Sequence, residues 1–181
     1  MKKIIAAFLL LILLGCFKKP AVKENKTVIQ QNPSSPFEIE IQYQNHILSA
    51  FIKNKSGKNQ LYFYDFMVQP ARIVLIYEGK ELQSFDKRQI MKYNNTVEKE
   101  MFKSISPNEK KKLYESRLVS GSSFDWGTYK FKDIPGGRYQ VFLEWRSFIG
   151  GYYDRQSQKY EKIDVWTDEN PIYSNEMTVD L

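Results

Sequence analysis

Apolar and polar side chains begin to alternate at Phe37. Phe37-Glu38-Ile39-Glu40-Ile41-Gln42-Tyr43-Gln44 keeps a period of two throughout, the pattern of a strand with one face on a core and the other in water. His46 to Ile52 predicts a second strand with Leu48, Ala50 and Ile52 on one face, ending in the turn cluster Asn54-Lys55-Ser56-Gly57-Lys58-Asn59. Leu61 to Met67 is aromatic and strand-like, stopped near Pro70, and Arg72-Ile73-Val74-Leu75-Ile76-Tyr77 is apolar enough to be buried on both faces. Glu78-Gly79-Lys80 then turns the chain toward Leu82 to Phe85. Asp86 to Asn108 breaks the rhythm. Val97, Met101 and Ile105 fit one side of a short helix, whereas Asn94-Asn95 and Pro107 favour an irregular excursion. Lys112 to Leu118 reads as a strand, Phe124 to Phe131 as aromatic packing, and Tyr139 to Trp145 as a long strand. A last strand is predicted from Asn175 to Leu181, where Met177, Val179 and Leu181 share a face.

About seven or eight short strands, separated by turn signals and with almost no helix, predict an all-β chain folded as an antiparallel β-sandwich. In Asp133-Ile134-Pro135-Gly136-Gly137-Arg138-Tyr139 a Pro-Gly turn precedes a tyrosine that opens an alternating strand. This resembles the tyrosine corner of immunoglobulin-like domains, in which the phenol hydroxyl bonds a backbone group a few residues upstream. An ordinary turn before an aromatic strand residue is the alternative. Ser106-Pro107-Asn108-Glu109 before a strand, then Pro-Gly-Gly-x-Tyr, then Ser174-Asn175-x-Met177-x-Val179 is similar to the order in immunoglobulin-like domains of bacterial surface lipoproteins. The resemblance covers residues 37–181 and implies an immunoglobulin-like sandwich. It speaks to fold and not to activity.

The amino-terminal segment has a different grammar. Met1-Lys2-Lys3 precedes the apolar run Ile4 to Leu14, and Gly15 precedes Cys16, the sole cysteine. Positive region, apolar region and small residue in that order predict a secretory signal peptide. The run is well short of the roughly 20 apolar residues of a membrane-spanning helix. Leu13-Leu14-Gly15-Cys16 resembles the lipobox of bacterial lipoproteins. The resemblance implies a signal peptide over residues 1–15 that is removed and a covalent lipid on Cys16; no other cofactor is expected from the residues. Residues 16–36 are rich in Lys, Asn, Gln, Ser and Pro and are expected to form a lipidated flexible tether to a domain over residues 37–181. Phe17 follows the cysteine where enterobacterial lipoproteins kept at the inner membrane carry aspartate. In a cell with two membranes this favours the outer one.

Removal of residues 1–15 leaves 166 residues with no possible internal disulfide, so the domain must be held by its hydrophobic core. The formal charge of +6 falls to +4 when Lys2 and Lys3 leave. Much of the excess lies in Lys99, Lys103, Lys110, Lys111 and Lys112, read either as a surface for anionic lipid or as a solvated face. Nucleic acid is not an expected partner.

Catalytic chemistry is thinly represented. His46 is the single histidine and falls within an apolar strand pattern. With one histidine and one acylated cysteine, no zinc-ligand or nucleophile–histidine spacing exists. Asp164-Val165-Trp166-Thr167-Asp168-Glu169-Asn170-Pro171 groups oxygen ligands, so Asp164, Asp168 and Glu169 are a calcium candidate set against a plain polar turn. The candidate partner surface lies between Arg146 and Trp166 and contains Phe148, Tyr152, Tyr153 and Tyr160. Loop aromatics offer large contact area at low entropic cost. The alternative is a hairpin whose tyrosines pack on the core. The expectation is a membrane-anchored, non-catalytic binding or structural protein of the bacterial cell envelope, with an envelope protein as partner. The rivals are a protease-inhibitor-like sandwich acting through an exposed loop and a carboxylate-based envelope hydrolase. The sequence sets no oligomeric state.

Overall fold

A computed structural model describes residues 32–63, 71–87 and 97–181. The signal segment, Cys16, most of the expected tether, the end of the Leu61 to Met67 strand and Asn94-Asn95 lie outside the described residues. Fifteen strands run through the rest: β1 (Phe37–Gln44), β2 (Ile47–Asn54), β3 (Gln60–Phe63), β4 (Arg72–Tyr77), β5 (Lys80–Glu81), β6 (Asp86–Lys87), β7 (Phe102–Ile105), β8 (Lys110–Arg117), β9 (Phe124–Trp126), β10 (Tyr129–Phe131), β11 (Arg138–Ser147), β12 (Gly151–Asp154), β13 (Lys159–Lys162), β14 (Asp168–Tyr173) and β15 (Met177–Asp180). Every pairing is antiparallel. The count exceeds the seven or eight predicted because connecting segments pair in two- to four-residue ladders.

β1 and β2 form a hairpin in unbroken register from Phe37 opposite Asn54 to Gln44 opposite Ile47, and β8 lies on the other edge of β2. The alternation works as predicted, because Phe37, Ile39, Ile41, Leu48, Ala50 and Ile52 are all buried. The turn is Asn45-His46, with φ of 51° and 63°, the left-handed pair that a two-residue hairpin turn requires. His46 is therefore an exposed turn residue rather than a strand residue, with Nδ1 3.2 Å from the Tyr43 hydroxyl.

The second main sheet runs β5–β4–β11, and the free edge of β11 is shared by β15 and β14 in succession. β11 turns Tyr139, Val141, Leu143 and Trp145 inward against the β1–β2–β8 sheet, and all four are buried. Where β14 gives way to β15, Asn175 reaches across. Its Oδ1 accepts from the Ile41 amide at 2.8 Å and its Nδ2 donates to the Ile41 carbonyl at 3.2 Å. One side-chain amide thus satisfies a strand edge that would otherwise stay open.

The Tyr139 hydroxyl donates to the Pro135 carbonyl at 2.7 Å, the bond predicted for the corner, and its ring stacks on Tyr77 with centroids 5.0 Å apart. Gly137 is needed there. Its φ is +141°, and a Cβ would lie 2.7 Å from the Tyr77 ring.

The stretch from 97 to 105 is not a helix. A single 3-10 turn, Lys99–Met101, leads into β7, while Val97 and Ile105 are both buried. Asp168 to Pro171, which the sequence offers as part of a polar turn, opens the edge strand β14, where Pro171 is tolerated because an edge need not donate every amide. Asn32–Pro36 makes a turn tied to the domain. Ser35 Oγ accepts from the Phe37 amide and donates to the Phe37 carbonyl, and Asn32 and Ser34 donate to Asp168.

Candidate functional site

β11 leaves the sheet at Ser147, whose hydroxyl donates to the Trp166 carbonyl at 2.8 Å. Ile149 then drops into a second apolar cluster with Phe63, Val97 and Phe102, against which Tyr152, Ile163 and Val165 are packed. The β12–β13 hairpin stands on this cluster, with Tyr153 opposite Tyr160 and Gly151 opposite Lys162. Asp154 closes its loop by accepting from the Gln156 amide at 3.0 Å and the Ser157 hydroxyl at 2.8 Å. These bonds, the Ser157 hydroxyl's first, hold its carboxyl below the usual range. Gly151 lets the facing strand and the Tyr160 ring come close, since a Cβ there would collide with the Glu161 carbonyl oxygen and come within 2.6 Å of the Tyr160 hydroxyl.

The structure brings the four predicted aromatics together. Phe148, Tyr152, Tyr153 and Tyr160 line one small cavity of about 140 Å³. Their burial differs. Phe148 is 44% and Tyr160 58% exposed, whereas Tyr152 and Tyr153 are half-buried, with Tyr152 on the second cluster. The segment is a packed hairpin, and it also presents aromatic rings to solvent.

A larger cleft, about 620 Å³, adjoins the hairpin and also includes Phe148 in its lining. Its floor is the outward face of the second sheet. The alternation that sends Leu143, Trp145 and Ser147 inward sends Glu144 and Arg146 outward. Glu144 faces Arg72 across the β4–β11 ladder and Tyr173 across the β11–β14 ladder. Its carboxylate accepts from Arg72 at 2.8 Å and from Arg146 at 3.0 Å, with Arg72 also paired to Glu81. Burial alone would raise the Glu144 pKa, but the two guanidiniums outweigh it and hold the carboxyl below the usual range. Tyr129, on β10, forms a wall, and burial pushes its phenol up, so it stays neutral and able to donate. Asp168 and Glu169 complete the lining.

Sequence reasoning missed the cleft. Its signal was charge inside an apolar strand, Glu144 and Arg146 flanking Trp145. A buried charge of this kind is kept only when paired, and the partner Arg72 sits far away in sequence.

The calcium candidates are not gathered. Asp168 spends its oxygens on Asn32, Ser34 and Asn170, and Asp164 and Glu169 are exposed. Among the described residues, no group of three or more metal-ligating side chains occurs. The lysine run is locally paired: Lys110 with Glu40, Lys111 with Glu109, Lys112 with Glu115. That arrangement suits a solvated face, with Lys110 also 4.6 Å above the Phe51 ring.

Comparison with protein-family models, with curated proteins and with solved structures finds no match to this chain.

Proposed function

We propose that this chain is a lipid-anchored protein of the bacterial cell envelope, an immunoglobulin-like β-sandwich that works by binding and not by catalysis. The anchor rests on Lys2-Lys3, the apolar run and Gly15-Cys16. Support for the immunoglobulin-like arrangement is the pairing order, β1–β2–β8 facing β4–β11–β15, together with the Tyr139–Pro135 corner bond. The observation that carries a binding role is the pair of exposed rings, Phe148 and Tyr160, held on a hairpin with its own apolar base. A protein partner recognises such rings because desolvating a few rigid aromatics supplies much of the binding energy. The hydrolase rival is less favoured. A general acid must stay protonated near neutral pH, and both Glu144 and Asp168 are held below the usual carboxylate range.

The test uses native protein extracted in detergent from its own cells after cross-linking of the intact envelope. Mass analysis is expected to find acyl groups on Cys16 and a cross-linked envelope protein. Tyr153→Ala with Tyr160→Ala is expected to weaken that cross-link by about tenfold or more, as one lost aromatic anchor of about 2 kcal/mol would, with melting changed by only a few degrees. Undiminished cross-linking by the double variant removes the hairpin as the partner surface. An unacylated Cys16 removes the anchor.

A further inference from the structure

We propose that the cleft beside the hairpin is a binding site for a neutral oligosaccharide. At about 620 Å³ it lies in the range of small-ligand sites and far exceeds the needs of a single ion. Among the described residues of its lining the charges nearly cancel, with Arg72 and Arg146 set against Glu144, Asp168 and Glu169. An anion would meet three carboxylates there, and a cation would meet two guanidiniums already fixed in place.

Those guanidiniums are fixed by Glu144, on which both converge, so the cleft's donors and acceptors are oriented before any ligand arrives. Arg72 and Arg146 nevertheless remain 42% and 53% exposed. The Arg72 guanidinium has more N–H groups than its two ion pairs use, and Glu169 stands exposed as an acceptor. A ligand complementary to this surface needs groups that donate and accept side by side, without net charge. The vicinal hydroxyls of a sugar do that.

The sugar ring also has a face of C–H groups, and the cleft supplies the matching surface in Tyr129 and in Phe148, 44% exposed. Tyr129 adds a neutral phenol that can donate to a ring or hydroxyl oxygen. The site is separate from the hairpin surface of the proposed protein partner. Phe148 borders both and therefore serves neither test.

Titration calorimetry on the purified domain can use soluble tetrasaccharides of glucose, galactose and N-acetylglucosamine, with sialylated and uronic-acid oligosaccharides and a mixed-charge peptide alongside. At least one neutral tetrasaccharide is expected to bind at micromolar to millimolar concentration. Arg146→Met, which keeps the stem but loses the guanidinium, is expected to weaken it about tenfold, with melting lowered by a few degrees because Glu144 loses one of its two partners. Glu169→Gln, exposed on β14, provides a second variant that keeps the fold, with a severalfold loss expected. Binding of only the acidic sugars or only the peptide overturns the proposal. So does the absence of heat with every neutral sugar at millimolar concentration, or equal affinity in both variants.

Discussion

Asn54 joins three segments of chain with one fully buried side chain. Its amide donates to the Lys58 carbonyl at 2.8 Å and the Ile105 carbonyl at 3.0 Å, while its oxygen accepts from the Ser56 amide and hydroxyl. Its own backbone is bonded to Glu109 and Asn108 on the approach to β8. The sequence placed Asn54 at the head of a turn cluster, where asparagine is common for local reasons. Nothing local announces that the same side chain reaches Ile105. Asn54→Ala takes the buried Ile105 carbonyl's side-chain donor and the Ser56 amide's acceptor, while the Lys58 carbonyl keeps the Ser56 hydroxyl, so it is expected to cost about 2 kcal/mol, within the range for stranded polar groups. Ser56→Ala removes a single hydroxyl and is expected to cost about 1 kcal/mol. Chemical denaturation of both variants checks the order, and an Asn54→Ala loss no larger than that of Ser56→Ala sinks the account.

At the scale of elements, legibility followed the source of each strand's stability. β1, β2, β4 and β11 bury a full face, so their pattern was written in their own residues. β14 was not legible, because Asp168-Glu169-Asn170-Pro171 pairs by backbone along an edge that β11 provides, with only Ile172 buried. The candidate site divides the same way. The hairpin aromatics lie within one short stretch and could be read together, whereas the cleft joins Arg72, Tyr129 and Glu144 from three strands. Gly151 is the hairpin's weak point, because a Cβ there would run into the backbone carbonyl of Glu161 as well as the Tyr160 ring. Gly151→Ala is expected to separate β12 from β13 and not the main sheets. Hydrogen exchange should show lost protection at the paired amides of β12 and β13 with β2 and β11 unchanged. Protection retained in β12–β13 rules out the close approach as the reason for glycine.

The whole molecule responds to acid through carboxylates that folding holds in their charged form. Glu40, Glu109, Glu115, Glu144, Asp154, Asp168 and Asp180 all lie below their ordinary pKa, 4.5 for Glu and 3.8 for Asp. A folded pKa below the unfolded one means that the unfolded chain binds more protons across that window. The stability so gained is complete above the ordinary pKa and is lost as pH falls through the folded values. Most of these groups lie in exposed pairs such as Arg138–Asp180, where screening leaves little. Glu144 differs, because its side chain is only 7% exposed and both its oxygens are held by arginine. The acid limb of the stability curve should therefore belong chiefly to Glu144. Glu144→Gln is expected to lower stability at neutral pH by about 1.5–3 kcal/mol, the range for hydrogen bonds to charged groups. As pH falls below 4.5 and through the depressed pKa of folded Glu144, its curve and that of the wild type should converge, since protonation then removes the same charge. Asp180→Asn should leave the curve nearly unaltered. Denaturant midpoints measured across pH decide it, and two curves that stay parallel to the lowest pH would show that the acid response arises elsewhere.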